Sequence, residues 1–380
     1  MQVNRVVIVG DLFPVTSNSD RFAEGDVGYL FGEEICNIFS MADYRICNLE
    51  GALTDNPGKC EKTGPIISAP TATIQAYKQL GINCCTLANN HITDAGSTGV
   101  LDTMKTLDEA NINHIGAGKN SESIQHQLFF QIGTKRFCLY NVAETMYNAP
   151  SSNCPGAYLY DEYIVCHELE SLKSDCDYLI VVYHGGAEKF RYPSPQTRKR
   201  FHRMVDSGAN MILSQHTHCV GCEEYYNGAY LLYGQGNFLF RSFNNEFTDT
   251  GLIIELVFGG DDITINKYMV EAVGDTVRLA EIQDFASFNS RSARVYDEDF
   301  VNNEFKKYCE KEAFNYLESY KGIIPFQRII RRLFPKCYRQ FILKSYKRDQ
   351  LLFTLHSLRS EQNRETAIEG IKELLKKYRY

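Results

Sequence analysis

The chain alternates short, unbroken apolar runs with amphipathic stretches, the pattern of strands buried on both faces and joined by helices. RVVIVG, from Arg5 to Gly10, leads to Asp11, and YRICNL leads to Glu50. NCCTLA is followed by Asn89, Asn90 and His91, LIVVYH ends in His184, and NMILSQ hands over to His216 and His218. Helical periodicity is expected over Phe31 to Ala42, Thr71 to Ile82, Thr98 to Ile112 and Gln196 to Ala209. In the third of these the inward positions read as Val100, Leu101, Met104, Leu107 and Ala110. Leu128 to Val142 reads as a hairpin turning at Gly133, followed by a polar loop to about Tyr160. Short β runs separated by Gly and Asn fill Cys222 to Phe258. The pattern weakens after Val273, and helices are expected over Phe300 to Ser319, Gln327 to Ser345 and Thr366 to Tyr378. Strands that alternate with helices predict an α/β fold.

Composition narrows this picture. With 380 residues, 44% hydrophobic and 12% aromatic, the chain can bury a large core and hold more than one domain. The formal net charge of -7 is unevenly spread: residues 291–380 carry 20 Lys and Arg against 12 Asp and Glu, and residues 1–290 carry 20 against 35. The expected organisation is an acidic domain over 1–290 and a basic, mainly helical extension over 291–380. Thirteen cysteines, odd in number and without a small-domain spacing framework, point to a reducing compartment. Cys219 and Cys222 form a CxxC with no second pair to complete a zinc site, so they read as buried or half-buried thiols. No charged and apolar leader and no run of membrane-spanning length is visible, which predicts a cytoplasmic protein.

The candidate chemistry is carried by the polar residues at the C-terminal ends of the apolar runs. Strand ends are where α/β folds build their sites. Taken singly, each histidine reads as a core or surface residue, and His114, His126, His167, His202 and His356 are left there. Five strand ends that all carry ligand-type side chains are a different matter. Asp11, Glu50, Asn90, His184, His216 and His218 supply enough N and O donors for two divalent ions such as Mn, Zn or Fe. His216 and His218, at i and i+2, can converge because the residue between them points away. His91, beside a ligand but not needed as one, is placed to protonate a leaving group, with Asp94 three residues on to hold its imidazole. Gly236 and Asn237 fall where backbone passes close to the site. The loop from Asp55 to Pro70 reads as lying over it, with Lys59, Lys62 and Thr63 as candidates to meet an anionic substrate or as solvated residues.

The segments NLEGALTD, LANNHITDAGSTGVLDTMKTLDEANINHIGAGKN, YHGGAEKFRYPSPQTRKRFHRMVDSGANMILSQHTHCVGCEEYYNG and LLYGQGNFLF resemble the CapA family of bacterial capsule and poly-γ-glutamate synthesis proteins. The likeness runs from about Val6 to Phe240. It implies a four-layer α/β/β/α sandwich of the metallophosphoesterase type, with Asp11, Glu50, Asn90, His184, His216 and His218 as ligands. Glu50 bridges the metals in that picture, His91 is the general acid, and Glu188 lies at the substrate or behind the ligands. Two departures stand out. Phe13 occupies the position where broader metallophosphoesterases carry a histidine, which predicts one weak metal site, and Gly185 replaces an aromatic residue, which predicts an open pocket.

The resemblance implies one of three functions: a metal-dependent phosphoesterase serving capsule, exopolysaccharide or poly-γ-glutamate synthesis, a non-catalytic accessory component of a polymer-synthesis complex, or an amide hydrolase acting on polyglutamate. The expected partner is an anionic small molecule or polymer. The segment Gly322 to Arg348 interleaves Ile, Leu, Phe and Tyr with Arg and Lys. It reads either as a helical appendage with solvated cations or as a contact to a membrane surface at the inner face or to a polymer-synthesis complex. No nucleic-acid recognition module is apparent.

Overall fold

The computed structural model describes residues 3–359 apart from 61, 63–64, 147, 241–244, 261, 282, 284 and 321–326. The expected helix Thr366 to Tyr378 and the loop residue Thr63 lie outside the described residues. Two compact units divide the chain, residues 1–305 and 306–380.

The first unit has four layers. One sheet of eight strands runs in parallel from Asn4–Leu12 through Tyr44–Leu49 and Cys84–Thr86 to Asn113–Ile115, takes the short parallel strand Asn237–Leu239 beside the first of these, and is extended by the antiparallel strands Thr250–Phe258, Ile263–Val273 and Thr276–Leu279. A second sheet of six strands runs through Lys135–Ala143, Tyr178–His184, Met211–Gln215 and Ala229–Leu232 in parallel, with Gln127–Ile132 and Glu223–Tyr226 antiparallel at its edges. Side chains alternate along each strand, so each sheet has two apolar faces to cover. Val6, Ile8 and Ile46 meet Leu139, Ile180, Val182 and Leu213 in the core between the sheets. On the outer face of the first sheet, Val7, Val9 and Cys47 pack under Phe31, Ile35, Tyr77, Val100 and Leu107 from the helices Val27–Ser40, Ile74–Gln79 and Gly96–Glu109. On the outer face of the second, Val181, Tyr183 and Ile212 pack under Val165, Leu169, Phe201 and Met204 from the helices Glu162–Leu172 and Pro195–Asp206. This is the α/β/β/α sandwich that the resemblance implies.

Several local expectations shift. Helix Thr71 to Ile82 opens as a short 3-10 turn and becomes α-helical only over Ile74–Gln79. Leu101 is 44% exposed, and Thr103 and Thr106 face inward in its place, each bonding a carbonyl four residues back. Glu162–Leu172 is a helix that the polar flank of the loop conceals; Asp161 caps it by accepting from the backbone N–H groups of Tyr163 and Ile164. In the second unit, Gln327–Leu333 and Pro335–Ser345 are separate helices because Pro335 starts a new one, and a further helix covers Arg348–Arg359. Among the described residues no helix is long and apolar enough to cross a membrane. Cys219 and Cys222 are both buried thiols.

One buried ion cluster ties helix Pro195–Asp206 to the edge of the second sheet. Glu224 accepts from Arg198 at 2.6 and 3.1 Å, pairs with His202 at 3.1 Å, and accepts from the Tyr233 hydroxyl at 2.8 Å. Burial alone would raise the Glu224 pKa, but these partners outweigh it and hold the carboxyl at about 2 against an ordinary 4.5. A depressed carboxyl adds stability that is complete above its unfolded pKa and is lost as pH falls through the folded one. Glu224→Gln should therefore lower stability at pH 7 by about 2 kcal/mol, with the difference from wild type shrinking between about pH 4.5 and 2. Urea unfolding across that range measures it.

Candidate metal centre

Six strands, or the segments that directly follow them, deliver polar side chains to one buried cluster. Asp11 lies near the end of its strand, directly beside Asn48 of the neighbouring strand and Asn237 of the short parallel strand Asn237–Leu239. Glu50 follows the strand Tyr44–Leu49, Asn90 and His91 follow Cys84–Thr86, and His184 closes Tyr178–His184. All are buried, as are Asp94 and His216. The strand Asn237–Leu239 can lie this close to Asn4–Leu12 because residue 10 is glycine: a Cβ there would lie 2.3 Å from the Gly236 carbonyl oxygen.

The two histidines lie in the loop after the strand and not on the strand itself. The strand ends at Gln215, and both His216 (φ 87°) and His218 (φ 55°) adopt left-handed backbone. For residues with a Cβ this costs on the order of 1 kcal/mol each, and such strain gathers where function holds it in place.

Within the cluster Asp11, Glu50 and His218 form one group of three, and Glu50, His184 and His216 form another, with the ligand-type atoms of each group within 4.8 Å of one another. Glu50 belongs to both. Its Oε1 lies 3.4 Å from His184 Nε2, and His184 Nε2 also faces Asn90 Oδ1 at 2.9 Å. Asp11 Oδ2 lies 3.2 Å from His218 Nδ1, which has Asn237 Oδ1 at 2.9 Å. The ring of Phe240 stacks on His218 with centroids 5.4 Å apart.

The electrostatics follow from burial among like and unlike charges. Burial favours neutral Glu50, but the neighbouring His184, His91 and His218 reverse this and hold its pKa below the ordinary value. Burial and the nearby His184 and His218 push His216 well below 6.5, so its imidazole is neutral, the form that binds metals. His218 is moved by burial the same way, but the Asp11 carboxylate prevails and raises it to about 9.

Asp11 Oδ2, Glu50 Oε1, His184 Nδ1 and His216 Nδ1 are buried and have no hydrogen-bond partner in the protein. Buried polar atoms are rarely left so. The residues that carry these unmatched atoms belong to the two groups of three, and a set of carboxylate oxygens and imidazole nitrogens fits a divalent cation.

His91 stands beside this cluster. Its Nδ1 is 2.6 Å from Asp94 Oδ2, and its backbone N–H donates to Asn89 Oδ1 at 3.0 Å. Lys62, a loop residue whose side chain is only 3% exposed, donates to Asp94 Oδ1 at 2.6 Å and to the Asn90 carbonyl at 3.1 Å. Lys59 stays exposed, as does Glu188 in the loop after His184. Asn237 supports His218 and donates to the Thr248 carbonyl at 2.8 Å.

Two residues of the cluster are not evident from the sequence pattern. Asn48, in NLEG, donates to Asp11 Oδ1 at 2.8 Å and to Glu50 Oε2 at 2.5 Å. Its position two before Glu50, hence on the same side of the strand, was the available signal. Glu144, at the end of its strand, accepts from the Gly186 N–H at 2.7 Å and from Arg200 at 3.1 Å. It also corrects the expected open pocket. A Cβ at residue 185 would lie 2.6 Å from Glu144 Cγ and Oε2, so the space that glycine leaves is filled by this carboxylate.

The chain is similar to several known proteins. The family described as "Bacterial capsule synthesis protein PGA_cap" matches residues 5–242. A capsule biosynthesis protein CapA of Bacillus anthracis is 27% identical over 193 residues, covering 49% of this chain and 47% of that protein. A PGA biosynthesis protein CapA of Bacillus subtilis is 26% identical over 223 residues, covering 57% and 58%. The chain thus spans about half the length of the curated relatives it matches. Among solved structures, a 5'-nucleotidase precursor from Thermus thermophilus is similar at 12% identity and a TM-score of 0.43, covering 82% of this chain and 59% of that one.

The Glu144 contact gives a direct test. Gly185→Ala should destabilise the protein by about 1–3 kcal/mol through overpacking, and the same substitution in a Glu144→Ala background should cost markedly less. A double-mutant cycle by chemical denaturation reads the coupling.

Proposed function

Because the chain belongs to the PGA_cap family of bacterial capsule synthesis proteins, we propose that its buried cluster is a metal-dependent hydrolase centre, acting on phosphoesters in the making of a capsule, exopolysaccharide or poly-γ-glutamate polymer. The observation that carries this reading is the pair of three-residue groups sharing Glu50. Asp11, Glu50 and His218 would hold one cation, and Glu50, His184, His216 and Asn90 a second. Mn, Zn or Fe bound there would supply Lewis acidity toward a phosphoryl oxygen and lower the pKa of water.

The chain's own residues do the rest. With its Nδ1 tied to Asp94, His91 keeps Nε2 for proton transfer to the leaving oxygen. Lys62 balances the charge of the buried Asp94 carboxylate. Asn237 holds the His218 ring at its Nδ1.

The second reading is an accessory, non-catalytic part in a polymer-synthesis complex, and Phe13 favours it. Its ring is buried against Gly51, where a Cβ would come within 2.8 Å, so that position supplies packing and no ligand. For the C-terminal extension we propose contact with an anionic surface of the membrane or of that complex. Exposed Ile329, Leu333, Phe334 and Phe341 lie among Arg331, Arg332, Lys336 and Arg339 in its support.

Elemental analysis of purified protein, with Mn or Zn added, should find close to two metals per chain, lost in a His216→Ala/His218→Ala variant together with turnover. His91→Ala should keep the metal and lose about 10²–10⁴-fold in turnover of phosphoesters with poor leaving groups. Including γ-glutamyl peptides in the substrate panel separates phosphoester from amide hydrolysis. Neither metal nor turnover after reconstitution would transfer the assignment to the accessory role.

A further inference from the structure

Asn48 touches both carboxylates of the cluster at once. It is buried in the strand between Asp11 and the loop carrying Asn89, and its amide has no freedom to turn. Its Oδ1 accepts from Asn89 Nδ2 at 3.2 Å, while Asn89 Nδ2 also donates to the Leu49 carbonyl at 2.8 Å. Rotating the Asn48 amide by half a turn would set its oxygen against two carboxylate oxygens and its NH2 against another NH2. The NH2 group therefore faces the carboxylates, and each of its two protons is used: one on Asp11 Oδ1, the other on Glu50 Oε2.

The consequence is a division of labour within each carboxylate. One oxygen is occupied by Asn48. The other, Asp11 Oδ2 or Glu50 Oε1, has no hydrogen-bond partner and lies beside an imidazole, at 3.2 Å from His218 and 3.4 Å from His184. A carboxylate pinned by one oxygen is disposed to ligate through the other alone. Ca²⁺ takes six to eight oxygen ligands and can fill its larger shell by taking both oxygens of a carboxylate, whereas Zn²⁺ accepts fewer ligands and mixes oxygen with imidazole nitrogen, as does Mn²⁺ at sites of this kind.

We propose that Asn48 is a positioning residue that sets the metal selectivity of the cluster, holding Asp11 and Glu50 to one ligating oxygen each and so favouring Mn²⁺ over Ca²⁺. The inference rests on the reading of the cluster as a metal centre.

The test is calorimetric titration of metal-free full-length protein with Mn²⁺ and, separately, Ca²⁺, with the electron paramagnetic resonance spectrum of bound Mn²⁺ as a second readout. Asn48→Ala should weaken Mn²⁺ by about 10–100-fold, the usual effect of losing a group that orients ligands, and should change Ca²⁺ far less, because the freed carboxylates can now bind it through both oxygens. The Mn²⁺ to Ca²⁺ affinity ratio should fall at least tenfold. Asn89→Ala leaves the Asn48 donors in place but releases their orientation. It should shift the ratio the same way by a smaller factor, and it decides the matter if Asn48→Ala does not fold. Equal weakening of both ions, or an unchanged ratio, would overturn the selectivity role while leaving the metal centre standing. Wild-type protein that binds neither ion would remove the metal centre and this inference together.

Discussion

Everything in the first unit is arranged around the cost of placing Asp11 and Glu50 out of reach of water. A carboxylate taken into a protein interior loses several kcal/mol of hydration unless its surroundings replace it. Here the replacement is assembled from distant parts of the chain: the Asn48 amide from the adjacent strand of the sheet, and imidazoles from the far sheet. Only a sandwich with its sheet ends abutting brings these groups together. The glycine at position 10, which lets the strand of Asn237 close on that of Asp11, and the left-handed turns at His216 and His218 are the local concessions that go with it. Asp94 is a smaller case of the same constraint, matched by a lysine drawn in from a loop.

Much of this is legible in the chain because burial on both faces leaves an unmistakable trace. A parallel strand covered by helices on one side and another sheet on the other must be largely apolar, so RVVIVG, YRICNL and LIVVYH announce themselves, and the polar residue that closes or follows each falls at the layer's end. That is why Asp11, Glu50, His91 and His184 stand out in the sequence alone.

The hidden part depends on contacts between segments far apart in sequence. Nothing near Lys62 distinguishes a lysine that turns inward from a solvated one; the difference lies in Asp94, thirty-two residues on. Asn48 reads as one more polar residue at a strand end until Asp11 is set beside it. Leu101 reads as core because periodicity counts apolar residues, but the helix turned Thr103 inward, where its hydroxyl bonds the Gly99 carbonyl within the helix. The helix Glu162–Leu172 opens with exposed Tyr163 and Ile164, which blurs its apolar stripe.

The meeting of Glu144 with Gly185 has an evolutionary side. A lineage in which position 185 regained a side chain would have to shed the carboxylate at 144 in the same step or before it, and would then leave the Arg200 guanidinium, stacked over Tyr160, without its anion. These positions are therefore not free to drift independently. Across descendants of this fold they should change as a set, and a sequence that keeps glycine at 185 while losing the acid at 144 would mark a branch where the space that Glu144 fills has been vacated.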